Sequence, residues 1–180
     1  MPIEELEFTH CKPAHANLLK QVAISCYTPY YTDLWEPGGM DVYLNTLYEP
    51  IALASELADP NLRFEIAYLR REPVGFSKIH FRCDRAGTTN AAYLERVYVA
   101  PSVTGTGVGR RLIERMIDGA RHHGRDWIWL QAMADAQKPL ERYRALGFVE
   151  CERTRLDVPK VRAGRAGMVV LRKDLRAADR

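Results

Sequence analysis

Gly105, Gly107 and Gly109 alternate through Thr104-Gly105-Thr106-Gly107-Val108-Gly109-Arg110, just after the alternating segment Leu94–Val99 and just before an amphipathic run. A strand that passes through closely spaced glycines into a helix makes an anion cradle. The glycines let the backbone approach a ligand, and the free N–H groups of the first helical turn point at it. A diphosphate is the guest that suits such a cradle. No Lys-Ser or Lys-Thr follows the last glycine, so the cluster is not a P-loop. It reads G-x-G-x-G and lies mid-chain, so it is not the G-x-G-x-x-G of a first βαβ unit. A tight strand-to-helix turn with no guest would use the same glycines.

The elements that position this cluster follow from hydrophobic periodicity. Leu6–Thr9 reads as a short strand and His15–Tyr27 as a helix that Pro29 ends. Met40–Tyr48 and Ile51–Ala58 read as helical, split near Pro50. Phe64–Leu69 and Val74–Phe81 read as strands joined by a hairpin turn at Arg71-Glu72-Pro73, and Ala92–Val99 as the next strand. From about Gly107 to His123, Val108, Leu112, Ile113, Met116, Ile117 and Ala120 share one helical face, with Gly124 as the stop. Trp127–Gln131 reads as a central strand, Pro139–Leu146 as a helix capped by Gly147, and Phe148–Leu156 and Met168–Leu171 as two late strands. Counting the split pair as one, the order is β-α-α-β-β-β-α-β-α-β-β. Three consecutive strands before the glycine-rich helix exclude a simple alternating Rossmann layout.

A chain of 180 residues predicts one domain, and 47% hydrophobic residues suffice for a core. No apolar run reaches membrane-span length, and Met1-Pro2-Ile3-Glu4-Glu5 lacks a signal-peptide core. Cys11, Cys26, Cys83 and Cys151 form no C-x-x-C pair, which argues against a zinc site and for a reducing, cytoplasmic setting. His122-His123 read as a helix terminus. Gln21–Leu62 contains no Lys or Arg but holds Asp33, Glu36, Asp41, Glu49, Glu56 and Asp59. Such a stretch either concentrates cations beside a site or is a solvated acidic face. The basic tail lacks interleaved aromatics, so no nucleic acid is expected.

The element order, Val97-Tyr98-Val99-Ala100-Pro101, the glycine cradle and Tyr143-Arg144-Ala145-Leu146-Gly147-Phe148 together resemble the GNAT superfamily of acyl-CoA-dependent N-acetyltransferases. The resemblance covers nearly the whole chain and is strongest from Leu94 to Phe148. It implies a single mixed α/β domain, with a twisted, largely antiparallel sheet of six to seven strands flanked by about four helices. It also implies acetyl-CoA as co-substrate and no metal. The pantetheine arm would lie between Val97-Tyr98-Val99 and the strand at Leu130-Gln131, bonded like an added strand. The backbone of Thr104, Gly105, Thr106, Gly107, Val108, Gly109 and Arg110 would hold the pyrophosphate. Thr104 stands where the family usually has Gln or Arg, and Ala136 where many relatives have Asn, so Gln137 or Lys138 is expected to make that pantetheine contact. Cys26–Tyr31, Asp41–Leu57, Leu94–Val99 and Val169–Leu175 also resemble the bacterial polyamine-acetyltransferase-like branch. The late strands are candidates for pairing across a homodimer.

The resemblance places Tyr143 near the thioester sulfur, and the chemistry supports the choice. An amine of pKa about 10 must lose a proton before it attacks, and the expelled thiolate needs a donor. A tyrosine hydroxyl can be that donor. Glu95 is the leading base, acting directly or through water. Two residues before Val97, it is expected on the same face of the strand, with Tyr93 beside it as a candidate pocket wall. An ion pair with Arg96 or Lys78 is the plain alternative for Glu95. A small-molecule amine acceptor is expected. A protein N-terminus or lysine is the alternative acceptor, and a non-catalytic acyl-CoA-binding domain the alternative class.

Overall fold

The computed structural model describes residues 5–85 and 87–176, so the first four residues of the acidic start lie outside it. One sheet carries every strand, in the order β1-β2-β3-β4-β5-β7-β6. Its strands are β1 (Leu6–His10), β2 (Leu62–Leu69), β3 (Glu72–His80), β4 (Ala91–Val99), β5 (Trp127–Met133), β6 (Val149–Arg155) and β7 (Gly167–Asp174). All neighbours run antiparallel except β4 and β5. That parallel pair needs a crossover, which α4 (Val108–His122) supplies.

The helices cover the two faces separately. On one side lie α1 (Ala16–Tyr31), α2 (Gly39–Leu47) and α3 (Pro50–Ala58). In α1, Leu19, Val22, Ala23, Cys26 and Tyr27 recur at helical spacing and pack on Phe64, Ile66 and Phe76 of the sheet. The other side carries α4 and α5 (Gln137–Ala145), whose Ile113, Met116, Ile117 and Leu140 meet Ile79, Leu94, Ile128, Leu130 and Leu171. Burying one such side chain contributes about 1.5–3 kcal/mol. Arg115 of α4 also clamps the buried Glu65 of β2, with Nε and Nη2 at 2.5 and 3.1 Å from its carboxylate. The sheet and the layered helices match the expected class, with five helices where the split pair had been counted as one.

Three local expectations are corrected. Pro29 does not end α1, which runs on to Tyr31. In the last turn a proline forfeits only one helical N–H bond. There the Tyr27 and Tyr31 rings stack at 4.4 Å and the Thr32 hydroxyl donates to the Thr28 carbonyl at 2.9 Å. The β2–β3 turn is Arg70-Arg71, both left-handed with φ of 53° and 66°, and Pro73 lies in β3 opposite Tyr68. Two positive φ angles match the strand twist of a two-residue hairpin, but they usually advertise themselves as Asn or Gly.

The third correction matters most for the site. Lys78 pairs with Arg96 and Ile79 with Leu94, so Glu95 is a surplus residue in β4, a β-bulge. The bulge reverses the alternation of faces. Leu94 and Val97 both reach the α4 side, whereas Tyr98 packs on the α1–α3 side, against Tyr27 and Phe76. Glu95 meets Lys78 and His80, which alternate with the α4-facing Ile79, and therefore belongs with Tyr93 and not with Val97.

Candidate active site

The bulge coincides with a fork in the sheet. β4 and β5 pair from Ala91–Trp127 to Leu94–Leu130, and no further. Beyond that point β5 continues on β7, through Gln131, Ala132 and Met133, while β4 continues on β3. The backbone of Arg96–Val99 on the β5 side is thus an unpaired edge that an extended ligand can join.

At the end of that edge the glycine cluster turns the chain into α4. Gly105 and Gly107 are left-handed, with φ of 82° and 98°, a conformation that disfavours any side chain. Gly107 is the residue before the helix, and the first helical bond of its turn runs from the Arg111 N–H to the Gly107 carbonyl at 3.0 Å. The N–H groups of Val108, Gly109 and Arg110 precede that bond and have no helical acceptor. Gly109 and Arg110 of this turn line a cavity of about 250 Å³, with Val99, Gly105, Gly107 and Arg142 among others. A Cβ on Gly109 would meet the Arg142 guanidinium at 3.4 Å, so this glycine keeps the second cation close over the helix start. Backbone donors, the positive end of a helix and two guanidinium groups together favour a phosphorylated guest.

The far side of β4 is built from side chains. Oε2 of Glu95 lies 2.8 Å from Nζ of Lys78 and 2.5 Å from Nε2 of His80, and Oε1 takes an ion pair from Arg96. Lys78 is 3% exposed and reaches across to Glu56 of α3, 3.0 Å from both carboxylate oxygens. Burial opposes ionisation of Glu95. The His80 hydrogen bond and the charges of Arg96 and Lys78 outweigh it and hold the carboxyl down at about 2. Such a carboxylate stays charged at neutral pH and retains a proton poorly.

Around this cluster lies an aromatic wall. Tyr27 contacts Tyr31, Tyr43 and Tyr98, and Tyr31 contacts Tyr98, with centroids 4.4–5.9 Å apart, and Trp35 lies tilted against Tyr43 at 4.7 Å. Across the fork, Tyr93 stacks on Trp129 at 3.9 Å and its hydroxyl donates to Oε1 of Gln131 at 3.4 Å. Tyr143 of α5 is half-buried against Phe148. Burial, then the nearby Tyr31, push its hydroxyl up to about 12 against the opposing Arg142 charge, so it remains a proton donor at neutral pH. A strap crosses the end of α1. The segment between β6 and β7 bonds to the chain after α1: Arg162 N–H to the Leu34 carbonyl at 2.9 Å, Glu36 N–H to the Lys160 carbonyl at 2.9 Å, and Arg162 Nε to the Trp35 carbonyl at 2.7 Å.

The fold brings part of the expected set together. Val99, Gly105, Gly107, Gly109 and Arg110 line one cavity, and Val97 and Tyr98 lie on the unpaired edge. Thr104 hydrogen-bonds Tyr30 at 2.7 Å, Thr106 caps the Val103 carbonyl at 2.7 Å, and the Val108 side chain is core. Gln137 and Lys138 stand exposed at the start of α5, away from the cavity lining. Sequence reasoning missed Arg142, His80, the tyrosine wall and the strap. Strand alternation does place Lys78 and His80 on one face, but that this face meets Glu95 depends on the bulge. The acidic stretch divides: Glu49 caps α3, Glu56 pairs with Lys78 and Asp59 accepts from the Asn61 N–H, while Asp33, Glu36 and Asp41 are exposed. Among the described residues no group of three His, Cys, Asp or Glu could hold a metal, and no helix is long and apolar enough to cross a membrane.

A phosphate cradle at the end of a forked parallel strand pair, with a protonated tyrosine nearby, has the parts of a group-transfer enzyme that takes a nucleotide-bearing donor. Residues 21–148 match the Acetyltransferase (GNAT) family. The chain is 31% identical over 117 residues to an IAA acetyltransferase of Azospirillum brasilense, spanning 62% of this chain and 72% of that one. Its fold is similar to that of the PaiA N-acetyltransferase of Thermoplasma acidophilum in complex with coenzyme A, with a TM-score of 0.73, 17% identity and 94% and 99% of the two chains covered. The ribosomal-protein-S18-alanine N-acetyltransferase of Escherichia coli is similar too, at TM-score 0.69, 17% identity and 96% of each chain. The chain belongs to the GNAT family of acetyltransferases, and acetyl-CoA is its co-substrate.

Proposed function

We propose that the protein transfers the acetyl group of acetyl-CoA to a small primary amine by direct attack in a ternary complex. The observation that carries this reading is the fork: the donor side ends in the glycine cradle, and the opposite side of the same strand ends in the Glu95 cluster. In this reading the N–H groups of the cradle and the Arg110 and Arg142 guanidinium groups hold the CoA diphosphate, and the β4 edge aligns the pantetheine. Tyr143 protonates the departing sulfur. Glu95 directs removal of the amine proton through an intermediary, because a carboxyl held at about 2 is a weak base by itself.

The strap supports a small acceptor over a protein N-terminus or lysine, because it ties the β6–β7 segment onto the chain beside Trp35 and narrows the approach. Within small amines, the exposed Asp33, Glu36 and Asp41 favour a cationic acceptor such as a polyamine, and Lys160 and Arg162 of the strap offset part of that field. A thiol-release screen with acetyl-CoA over monoamines, polyamines, amino acids and peptides tests this. Small amines are expected to exceed peptides at least tenfold in kcat/KM. Preference for a peptide amine would overturn the small-acceptor reading, and CoA binding without thiol release would establish a binding domain instead.

A further inference from the structure

We infer that His80 is the residue that takes the proton from the attacking amine, with Glu95 as the carboxylate that orients it. The inference deepens the amine-acetyltransferase reading and rests on it. The Nε2 atom of His80 faces Oε2 of Glu95 at 2.5 Å. An ionised carboxylate can only accept, so Nε2 carries the hydrogen, and the lone pair of the neutral ring sits on Nδ1. Nδ1 is the open position of the pair.

The charges around His80 are paired off. Two carboxylates, Glu56 from α3 and Glu95 from β4, are matched by two cations, Lys78 from β3 and Arg96 from β4. The uncharged ring thus sits beside a balanced set of charges, and an imidazolium formed there has the Glu95 carboxylate as its direct partner. Tyr93 flanks the ring at 5.6 Å, and Cys83, Tyr43 and Tyr48 are further titratable groups that interact with Glu95. His80 is the most open member of the chain Lys78–Glu95–His80: its side chain is 25% exposed, against 18% for Glu95 and 3% for Lys78. It also lies at the fork, since Tyr93 beside it bonds to Gln131, one residue past the last β4–β5 pair.

The step balances as follows. The substrate ammonium gives one proton to Nδ1 of His80, and the freed nitrogen lone pair forms the C–N bond at the thioester carbonyl. The C–S bond then breaks and sulfur takes the Tyr143 proton, while the second amine proton restores the Tyr143 hydroxyl. His80 releases its proton to water, so amide, free thiol and one proton leave.

The test compares the wild type with His80→Gln, His80→Ala and Glu95→Gln, using the best amine of the screen. His80→Gln is expected to lower kcat about 100-fold, the usual scale of general-base catalysis. Its acetyl-CoA Kd by calorimetry should stay within twofold of the wild type, which also reports an intact fold. The acid limb of the wild-type kcat/KM profile should vanish in His80→Gln. It should move to lower pH in Glu95→Gln, because the imidazolium loses its counter-charge. Added imidazole should restore part of the activity of His80→Ala. Activity of both His80 variants within threefold, with an unchanged acid limb and no imidazole effect, would overturn the role of His80 and leave the enzyme reading standing. Absence of thiol release by the wild type with every amine would overturn both.

Discussion

The two sides of β4 are made of different materials. The donor side is backbone: left-handed Gly105 and Gly107, helix-start N–H groups, an unpaired strand edge and two arginines above it. The side proposed for the acceptor is side chain: a four-membered charge cluster, a histidine and a wall of tyrosines drawn from α1, α2 and β4. Backbone recognition reads features that every acetyl-CoA molecule shares, its diphosphate and its amide-bearing arm. Side chains can be exchanged one by one without disturbing the strand, whereas backbone recognition is tied to the strand itself.

Breaking each side in turn separates them. The largest effect is expected at the cradle. Gly107→Glu forces a side chain into a φ of 98° and sets a carboxylate beside the diphosphate, so acetyl-CoA binding should fall by more than a thousandfold in calorimetry. Retained micromolar affinity would show that the cradle does not hold the donor. Tyr143→Phe should separate chemistry from binding: a loss of about 100-fold in kcat with the acetyl-CoA Kd unchanged. An unchanged kcat would remove Tyr143 from the chemistry.

On the acceptor side, pH should reveal the charge cluster. The Glu95 carboxyl is lowered from 4.5 to about 2, so its contribution to stability is present above pH 4.5 and is lost as pH falls toward 2. Urea unfolding of the wild type and Glu95→Gln should therefore show a gap that shrinks by on the order of 3 kcal/mol over that range. A gap that does not depend on pH would mean that the carboxylate gains nothing from Lys78, His80 and Arg96. The smallest effect belongs to the rim: Thr104→Val removes an exposed hydrogen bond to Tyr30 and should change the acetyl-CoA KM less than threefold.

The same division explains what the sequence makes legible. The cradle is local: three glycines between a strand and a helix announce the turn within seven residues, while its guest follows from the family and not from the glycines alone. The strands and helices follow from periodicity for the same reason. The acceptor side is non-local. His80 and Glu95 are fifteen positions apart and meet only through the β3–β4 register, while Glu56 joins from a helix earlier in the chain. The bulge also hides one face from the alternation rule, which is why Glu95 reads as a neighbour of Val97. Arg70-Arg71 likewise makes a tight turn without the residues that usually announce one.

Glu95 has one more consequence, and it is arithmetical. A pleated strand counts in twos, and one surplus residue cannot be shared out or diluted along it. Removing Glu95 would place Arg96 directly after Leu94, on the face it already occupies, and let the strand run in step with its neighbour. The slot between β4 and β5 would then be free to zip shut. The surplus residue and the end of the β4–β5 pairing fall at the same place in the strand, so a one-residue deletion there, unlike a substitution, would test whether the count keeps the slot open.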